Sequence, residues 1–279
     1  MSRRFRLVAA LVVAALCVHV TWFRTPVERG SPDAINLERI AGPSLTDAPG
    51  WEVSGVWHYD TEPNLRFGGY SALLPLSSGR LRAWSDRGYV FTFTEPDQAL
   101  ERASDRRVTR QQLADPALFW ELWDIESVTR DPQSGDFWLG YENGHVIHRF
   151  SYQSQPENWR SLAGEVDWYS NGGMEAMVRL KDGRFFIIPE GREEALIFAS
   201  DPVEAADHET IAFAPPVGDF AVTDMAQLPD GRLLLLMRTT IWDFPPFAGL
   251  LAIAQLPEMG SSEPWSAEVV LPFEGVLPQ

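Results

Sequence analysis

A single cysteine, Cys17, and a single lysine, Lys181, occur in the 279 residues. The first scarcity excludes an internal disulfide and a thiolate metal site, so the fold has to be held by packing. The second excludes a phosphate-binding loop ending in Gly-Lys and a catalytic lysine pocket. Positive charge is short as well, with 23 basic side chains against 39 acidic ones and a net charge of −16. Five arginines and one glutamate fall in residues 1–30, which leaves 18 basic against 38 acidic residues, a net −20, for the remainder. Such a surface repels nucleic acid and anionic lipid and favours cations or neutral ligands. Helical periodicity is missing from the body of the chain, which excludes a helical repeat.

What is present begins with Arg3, Arg4 and Arg6 ahead of an apolar run from Leu7 to Phe23. This is the pattern of a secretory n-region and h-region, so export to the periplasm or beyond is expected. No small-x-small cleavage site follows, and Ala14-Ala15-Leu16-Cys17 is a poor lipoprotein box. A cleaved signal and an uncleaved inner-membrane anchor therefore both stay open for residues 1–30. Residues 31–279 read as one domain.

That domain repeats a unit whose clearest copy runs from Asn171 to Gly191. Met174 to Leu180 reads as a strand, Lys181-Asp182-Gly183 as a tight turn and Arg184 to Pro189 as a second strand. Glu175 opens this hairpin and Glu190 closes it, and antiparallel pairing sets the two at one sheet edge. Aligning the turn glycines Gly79, Gly135, Gly183 and Gly231 puts Asp86, Glu142, Glu190 and Arg238 seven residues later. The first-strand partners are Ser71, Glu126, Glu175 and Asp224, with 49 residues from Glu126 to Glu175 and again from Glu175 to Asp224. A repeat of roughly 40–50 residues built from short strands marks a β-propeller blade. Further strands are expected at Ile35 to Ile40, Trp51 to Tyr59, His145 to Ser151, Leu196 to Ser200 and Gly249 to Ala254, with a short helix near Thr109 to Phe119.

Several short motifs occur in a telling order: Gly69-Tyr70-Ser71-Ala72-Leu73, Ser85-Asp86-Arg87-Gly88, Asp124-Ile125-Glu126, Asn171-Gly172-Gly173-Met174-Glu175-Ala176, and Thr223-Asp224-Met225-Ala226 with Leu236-Met237-Arg238. Over about residues 50–279 they resemble the bacterial phytase-like family, also described as esterase-like proteins of the phytase family. The resemblance implies an all-β propeller, an exported location and hydrolysis of phosphoesters or other esters. Members of that family continue with a D-N-x-E-G segment and further strands. One more repeat beyond Asp224 would open an inner strand at Phe273-Glu274-Gly275-Val276, close to the last residue, Gln279. A propeller of about five to six blades, incomplete at the C-terminus, is therefore expected.

In a propeller the inner strands surround one channel, so Asp86, Glu126, Glu142, Glu175, Glu190 and Asp224 would converge on one mouth. Crowded like charges disfavour ionisation unless a cation or an arginine compensates them. Hard oxygen donors in that number suit a divalent cation, Ca²⁺ first, and a spare glutamate could serve as base to a water that the ion activates. The expected metal ligands are Asp86, Glu126, Glu142, Glu175 and Asp224. Glu175, Glu190 and Arg238 are the catalytic candidates, and Ser71, Arg87 and Asn171 the substrate-binding ones. Ser71 lies outside any Gly-x-Ser-x-Gly elbow and suits hydrogen bonding better than nucleophilic attack. The plainer readings are solvated loop carboxylates, or caps that accept backbone N–H bonds. His145 and His148, three apart in an expected strand, point to opposite faces and make no ligand pair. The eleven tryptophans suit inter-blade packing, with a sugar platform as the alternative. Two functions stand: a cation-dependent hydrolase of a small anionic or neutral ester, and a non-catalytic binding or scaffold propeller with a structural ion. Either is expected to be a monomer.

Overall fold

The computed structural model describes residues 3–18, 30, 32, 34–42, 50–96, 106–112, 122–169, 172–191, 193–242 and 247–273. Helix α1 (Arg3–Val18) leads the chain. A two-stranded ribbon follows, β1 (Asn36–Ile40) paired antiparallel with β2 (Val56–Asp60). Blade one contains β3 (Tyr70–Pro75), β4 (Arg80–Ser85), β5 (Tyr89–Thr94) and β6 (Arg107–Arg110). Blade two contains β7 (Ile125–Arg130), β8 (Phe137–Tyr141), β9 (Val146–Phe150) and β10 (Pro156–Ser161). Blade three contains β11 (Ala176–Arg179), β12 (Phe185–Ile188), β13 (Glu194–Phe198) and β14 (Glu209–Ala214). Blade four contains β15 (Ala221–Gln227), β16 (Leu233–Thr240), β17 (Phe247–Ala254) and β19 (Glu268–Phe273). Between β17 and β19 the chain steps aside so that β18 (Trp265–Ser266) adds in parallel to β14. Trp265 there packs against Phe186 and Phe213 and clasps blade four to blade three.

The hairpins follow from local chemistry. Gly183 and Gly231 carry φ of 92° and 98°, left-handed values that glycine adopts without steric cost. In each turn the aspartate before the glycine accepts the backbone N–H two residues on, Asp182 from Arg184 and Asp230 from Arg232. Apolar side chains on both faces of the middle strands then fill the gaps between blades. Trp84, Phe137 and Tyr141 lie between blades one and two, Trp138, Met174 and Phe185 between two and three, and Phe186, Leu235 and Met237 between three and four. Burying one such side chain contributes about 1.5–3 kcal/mol. Trp84 is fully enclosed, and its indole N–H is satisfied by Gln111 Oε1 at 2.8 Å.

Inner strands β3, β7, β11 and β15 pack side by side in that order, and among the described residues no comparable contact returns from β15 to β3. The face of blade one turned away from blade two is covered by the ribbon, where Tyr59 packs edge-on against Phe91 and Phe93.

The architecture is thus an all-β propeller of four blades rather than five or six. Phe273, expected to open a fifth inner strand, instead ends the outermost strand of blade four and pairs with Gly249. Residues 274–279 lie outside the described residues. The helix expected from Thr109 is replaced at its start by β6, whose Tyr89↔Arg110 and Phe91↔Val108 pairs complete blade one, and the rest of that segment lies outside the described residues. The expected strand from Trp51 begins only at Val56. Outer strands β10 and β14 were not foreseen: β10 carries little apolar periodicity, whereas in β14 the buried Ile211 and Phe213 do alternate with exposed neighbours over a run too short to stand out.

Candidate metal centre

The open ends of the hairpins assemble an acidic mouth. Asp86 N donates to Gly69 O at 2.9 Å, Glu142 N to Asp124 O at 2.9 Å and Glu190 N to Gly173 O at 3.1 Å, one equivalent closure in each of three blades. Asp124 N also donates to Asp86 O at 3.1 Å, which ties the mouth of blade two to that of blade one. Bulges take Ser71 out of the β3 ladder and Glu126 out of the β7 ladder. A bulge re-aims the side chain at the extra residue.

Five carboxylates meet there in two groups. Asp124, Glu126 and Glu142 each offer an oxygen within 4.8 Å of the others, and so do Glu142, Glu175 and Glu190. Glu142 belongs to both. It is 8% exposed and Glu175 9% exposed, a depth at which a carboxylate calls for a compensating partner. Access for blade three is set by Gly173, where a Cβ would lie 2.6 Å from Glu142 Cα. Asp124 holds φ at 69°, a left-handed value that blade one fills with Gly69 at 65°.

The electrostatics follow from this crowding. Burial pushes the Glu175 carboxyl up to about 8, reinforced by Glu190 and opposed by the Arg238 guanidinium. Burial likewise raises Glu126, with the Glu175 charge next and hydrogen bonding to Asp124 after it. Glu142 is raised by burial and by Asp124, against a lowering contribution from the Gly173 backbone. Protons or a cation must therefore offset these charges. Hard oxygen donors at this spacing fit a divalent cation of the Ca²⁺ type.

The expected residues divide. Glu126, Glu142, Glu175 and Glu190 are brought together, and Arg238 stands close enough to Glu175 to lower its pKa while resting 5.1 Å over the Phe247 ring. Asp86 joins neither group; its Oδ1 accepts from Arg87 N and pairs with Arg87 Nε at 3.2 Å, so Arg87 is engaged as well. Asp224 also stays outside. Its partner is Leu236, the register position that Ala176 holds opposite Ile188, and Thr223 occupies the bulge in phase with Glu126. The spacing of 49 residues therefore lands one residue late in blade four. The Asp224 carboxylate instead accepts Met225 N at 2.7 Å, and burial raises its pKa to about 6. Ser71 is half-buried at its bulge, and Asn171 lies outside the described residues. His145 packs on Trp168 while His148 faces Tyr141 and Phe150, on opposite sides of blade two. Asp124 was missed; its signal was an aspartate two before Glu126, where the other hairpins carry Gly69 and Gly173.

With this geometry in place, comparison with known proteins is decisive on one point. The sequence matches the phytase-like family, described as "Esterase-like activity of phytase", over residues 65–257. The chain belongs to the phytase-like family. No curated protein matches it. Among solved structures this phytase-like chain is similar to a luciferin-regenerating enzyme, at TM-score 0.46 and 9% identity, covering 80% of this chain and 66% of that one. It is also similar to Kluyveromyces lactis Hsv2, at TM-score 0.39 and 9% identity over 78% of this chain and 76% of that one. A third is Kuenenia stuttgartiensis hydrazine synthase, at TM-score 0.40 and 13% identity over 67% of this chain. The phytase-like chain spans 46% of that protein's length. Likeness at this level says nothing of activity.

Proposed function

We propose that this phytase-like propeller is a divalent-cation-dependent hydrolase of phosphate esters or other small esters. The observation that carries the reading is Glu142, shared between two carboxylate triads in which Glu126, Glu142 and Glu175 are raised in pKa by burial and by neighbouring carboxylates. Asp124, Glu126, Glu142 and Glu175 would hold the ion, Ca²⁺ first by donor chemistry. When bound, the ion would polarise the phosphoryl or carbonyl oxygen and lower the pKa of a water. Glu190, the more exposed member of its triad, would take the proton as the water oxygen adds, and the alcohol would leave protonated. Arg238 would hold Glu175 ionised or meet the anion that develops.

A second reading is favoured by depth. Glu142 and Glu175 are the most buried members of the cluster, and an ion held beneath the rim with a closed shell is structural rather than catalytic. The protein would then be a non-catalytic ligand-binding or scaffold propeller.

Metal analysis of the purified protein, followed by assays of phosphomonoesters, phytate and lactones with and without chelator, separates the two. Chelator-sensitive turnover supports the hydrolase, bound metal without turnover supports the scaffold, and chelator-insensitive turnover rejects cation dependence. Export is proposed on Arg3, Arg4, Arg6 and the apolar run after them. The described part of that run is α1, and among the described residues no helix is long and apolar enough to cross a membrane.

A further inference from the structure

The five carboxylates of the mouth do not close around one point. Oxygens bound to a single Ca²⁺ at about 2.4 Å lie no farther apart than about 4.8 Å. Asp124, Glu126 and Glu142 meet that limit as one group, and Glu142, Glu175 and Glu190 as another, but the five do not form one group. The first triad belongs wholly to blade two: Asp124 precedes β7, Glu126 sits at the β7 bulge and Glu142 follows β8. The second joins two blades, because Glu175 precedes β11 and Glu190 follows β12.

Depth and charge both point to cations here. Glu175 is 9% exposed and its carboxylate faces Glu142 and Glu190. Among the described residues no hydrogen-bond donor reaches it, and Arg238 acts on it as a nearby charge. A carboxylate at that depth without a donor calls for a bound positive ligand. Charge gives the number of ions. Five carboxylates meet one guanidinium, that of Arg238. A single divalent ion would leave two negative charges uncompensated at this depth, whereas two divalent ions would leave none. The repulsion to be offset runs through both triads, since Glu126 feels Glu175, Asp124 and Glu142, and Glu175 feels Glu190, Glu142 and Asp124.

We propose that the mouth holds two divalent cations bridged by Glu142, one within blade two and one between blades two and three. The proposal rests on the reading of the mouth as a cation centre and adds a second ion to it. Asp124 and Glu126 complete the protein ligands of the first ion, and Glu175 and Glu190 those of the second. Glu190 is then a ligand, not the base of the single-ion arrangement. Ca²⁺ takes about six to eight oxygens, so each triad leaves positions for water or for the oxygens of a ligand.

The experiment is calorimetric titration of the full chain with Ca²⁺, after chelator treatment and desalting, together with metal analysis of the loaded protein. The variants are Glu126→Gln for the first ion, Glu175→Gln for the second and Glu142→Gln for both. Asp86→Asn is the control, because Asp86 pairs with Arg87 outside both triads. Asp124→Asn and Glu190→Gln replace Glu126→Gln and Glu175→Gln if either fails to give a cooperative melting curve. Wild-type protein should bind two Ca²⁺ per chain, Glu126→Gln and Glu175→Gln one each, and their double variant none. Glu142→Gln should weaken both ions by about tenfold or more, and Asp86→Asn should keep both. With two equivalents of Mn²⁺ the wild-type protein should give an exchange-coupled paramagnetic resonance spectrum, and each single variant an uncoupled one. One Ca²⁺ in the wild type, abolished alike by Glu126→Gln and Glu175→Gln, overturns the proposal and leaves the single-ion hydrolase standing. Two ions without coupling, or loss of an ion in Asp86→Asn, also overturns it. No binding at all overturns the proposal and the cation dependence together.

Discussion

Gly173 passes so close to Glu142 that a Cβ on it would lie 2.6 Å from the Glu142 Cα and 2.9 Å from its Cγ. The first neighbour is backbone and cannot turn away as the side-chain Cγ can, so the strand openings would have to move apart. Gly173→Ala should cost about 1–3 kcal/mol of stability and separate Glu142 from Glu175. Gly172→Ala next to it meets nothing nearer than 3.4 Å and should be close to neutral. Melting temperature and calcium titration of the two variants check this; equal behaviour would remove the steric argument.

The pH dependence of stability follows from the raised carboxyls. Glu175 titrates near 8 in the folded protein against 4.5 unfolded, and Asp224 near 6 against 3.8. Between those limits the folded state binds more protons than the unfolded one, so the contribution of these two groups to stability is greatest at low pH and falls as pH rises. In chelator the loss from Glu175 is roughly 3–5 kcal/mol from pH 4.5 to 8. A bound cation offsets the same charges, so the calcium-induced rise in melting temperature should grow with pH, and Glu175→Gln should flatten the chelated profile. A calcium effect that is the same at pH 5 and pH 8 contradicts this linkage.

His148 works in the other direction. It is fully enclosed between blades one and two, no well-formed hydrogen bond reaches either ring nitrogen, and burial, opposed by the Glu157 backbone, pushes its pKa down to about 4. Below pH 6.5 the unfolded chain takes up a proton that the folded one refuses, so this contribution is lost as pH falls toward 4. His148→Leu should remove that acid slope, worth about 3 kcal/mol, and relieve two unsatisfied polar atoms. Urea unfolding at pH 7 and pH 5 measures it: the gap between wild type and variant should widen at pH 5 in favour of the variant.

The inner hairpins were legible because the turn glycine, the polar or charged residues at the two ends and the apolar positions between them are all local signals. Outer strands β6 and β10 were not, since an edge strand is specified by its neighbour's ladder rather than by its own pattern. That Glu126, Glu142, Glu175 and Glu190 come together at one mouth was legible from phase. Asp224 shows the limit of phase, because one bulge residue, Thr223, shifts the carboxylate onto a ladder position. Asp86 shows another limit: pairing with the adjacent Arg87 is chosen by backbone direction at the turn, which spacing does not encode.

Asp124 couples backbone strain to charge at the acidic mouth. Its φ of 69° is strained for a residue with a side chain, and blade one meets the same geometry with Gly69 at 65°. Asp124 also adds negative charge beside Glu126 and Glu142 and raises the pKa of both. Asp124→Gly should therefore stabilise the chelated protein, by about 1 kcal/mol from relief of the left-handed backbone, less the entropy of the freer glycine, plus the removed repulsion. In calcium the same change removes one oxygen donor from a triad, and the affinity should fall. The melting temperature of Asp124→Gly should thus exceed that of the wild type in chelator and drop below it at saturating calcium. Strain kept at one residue is explained by a ligand only if the sign reverses on adding that ligand. A variant that is more stable, or less stable, under both conditions would show that Asp124 is held in place for packing rather than for an ion.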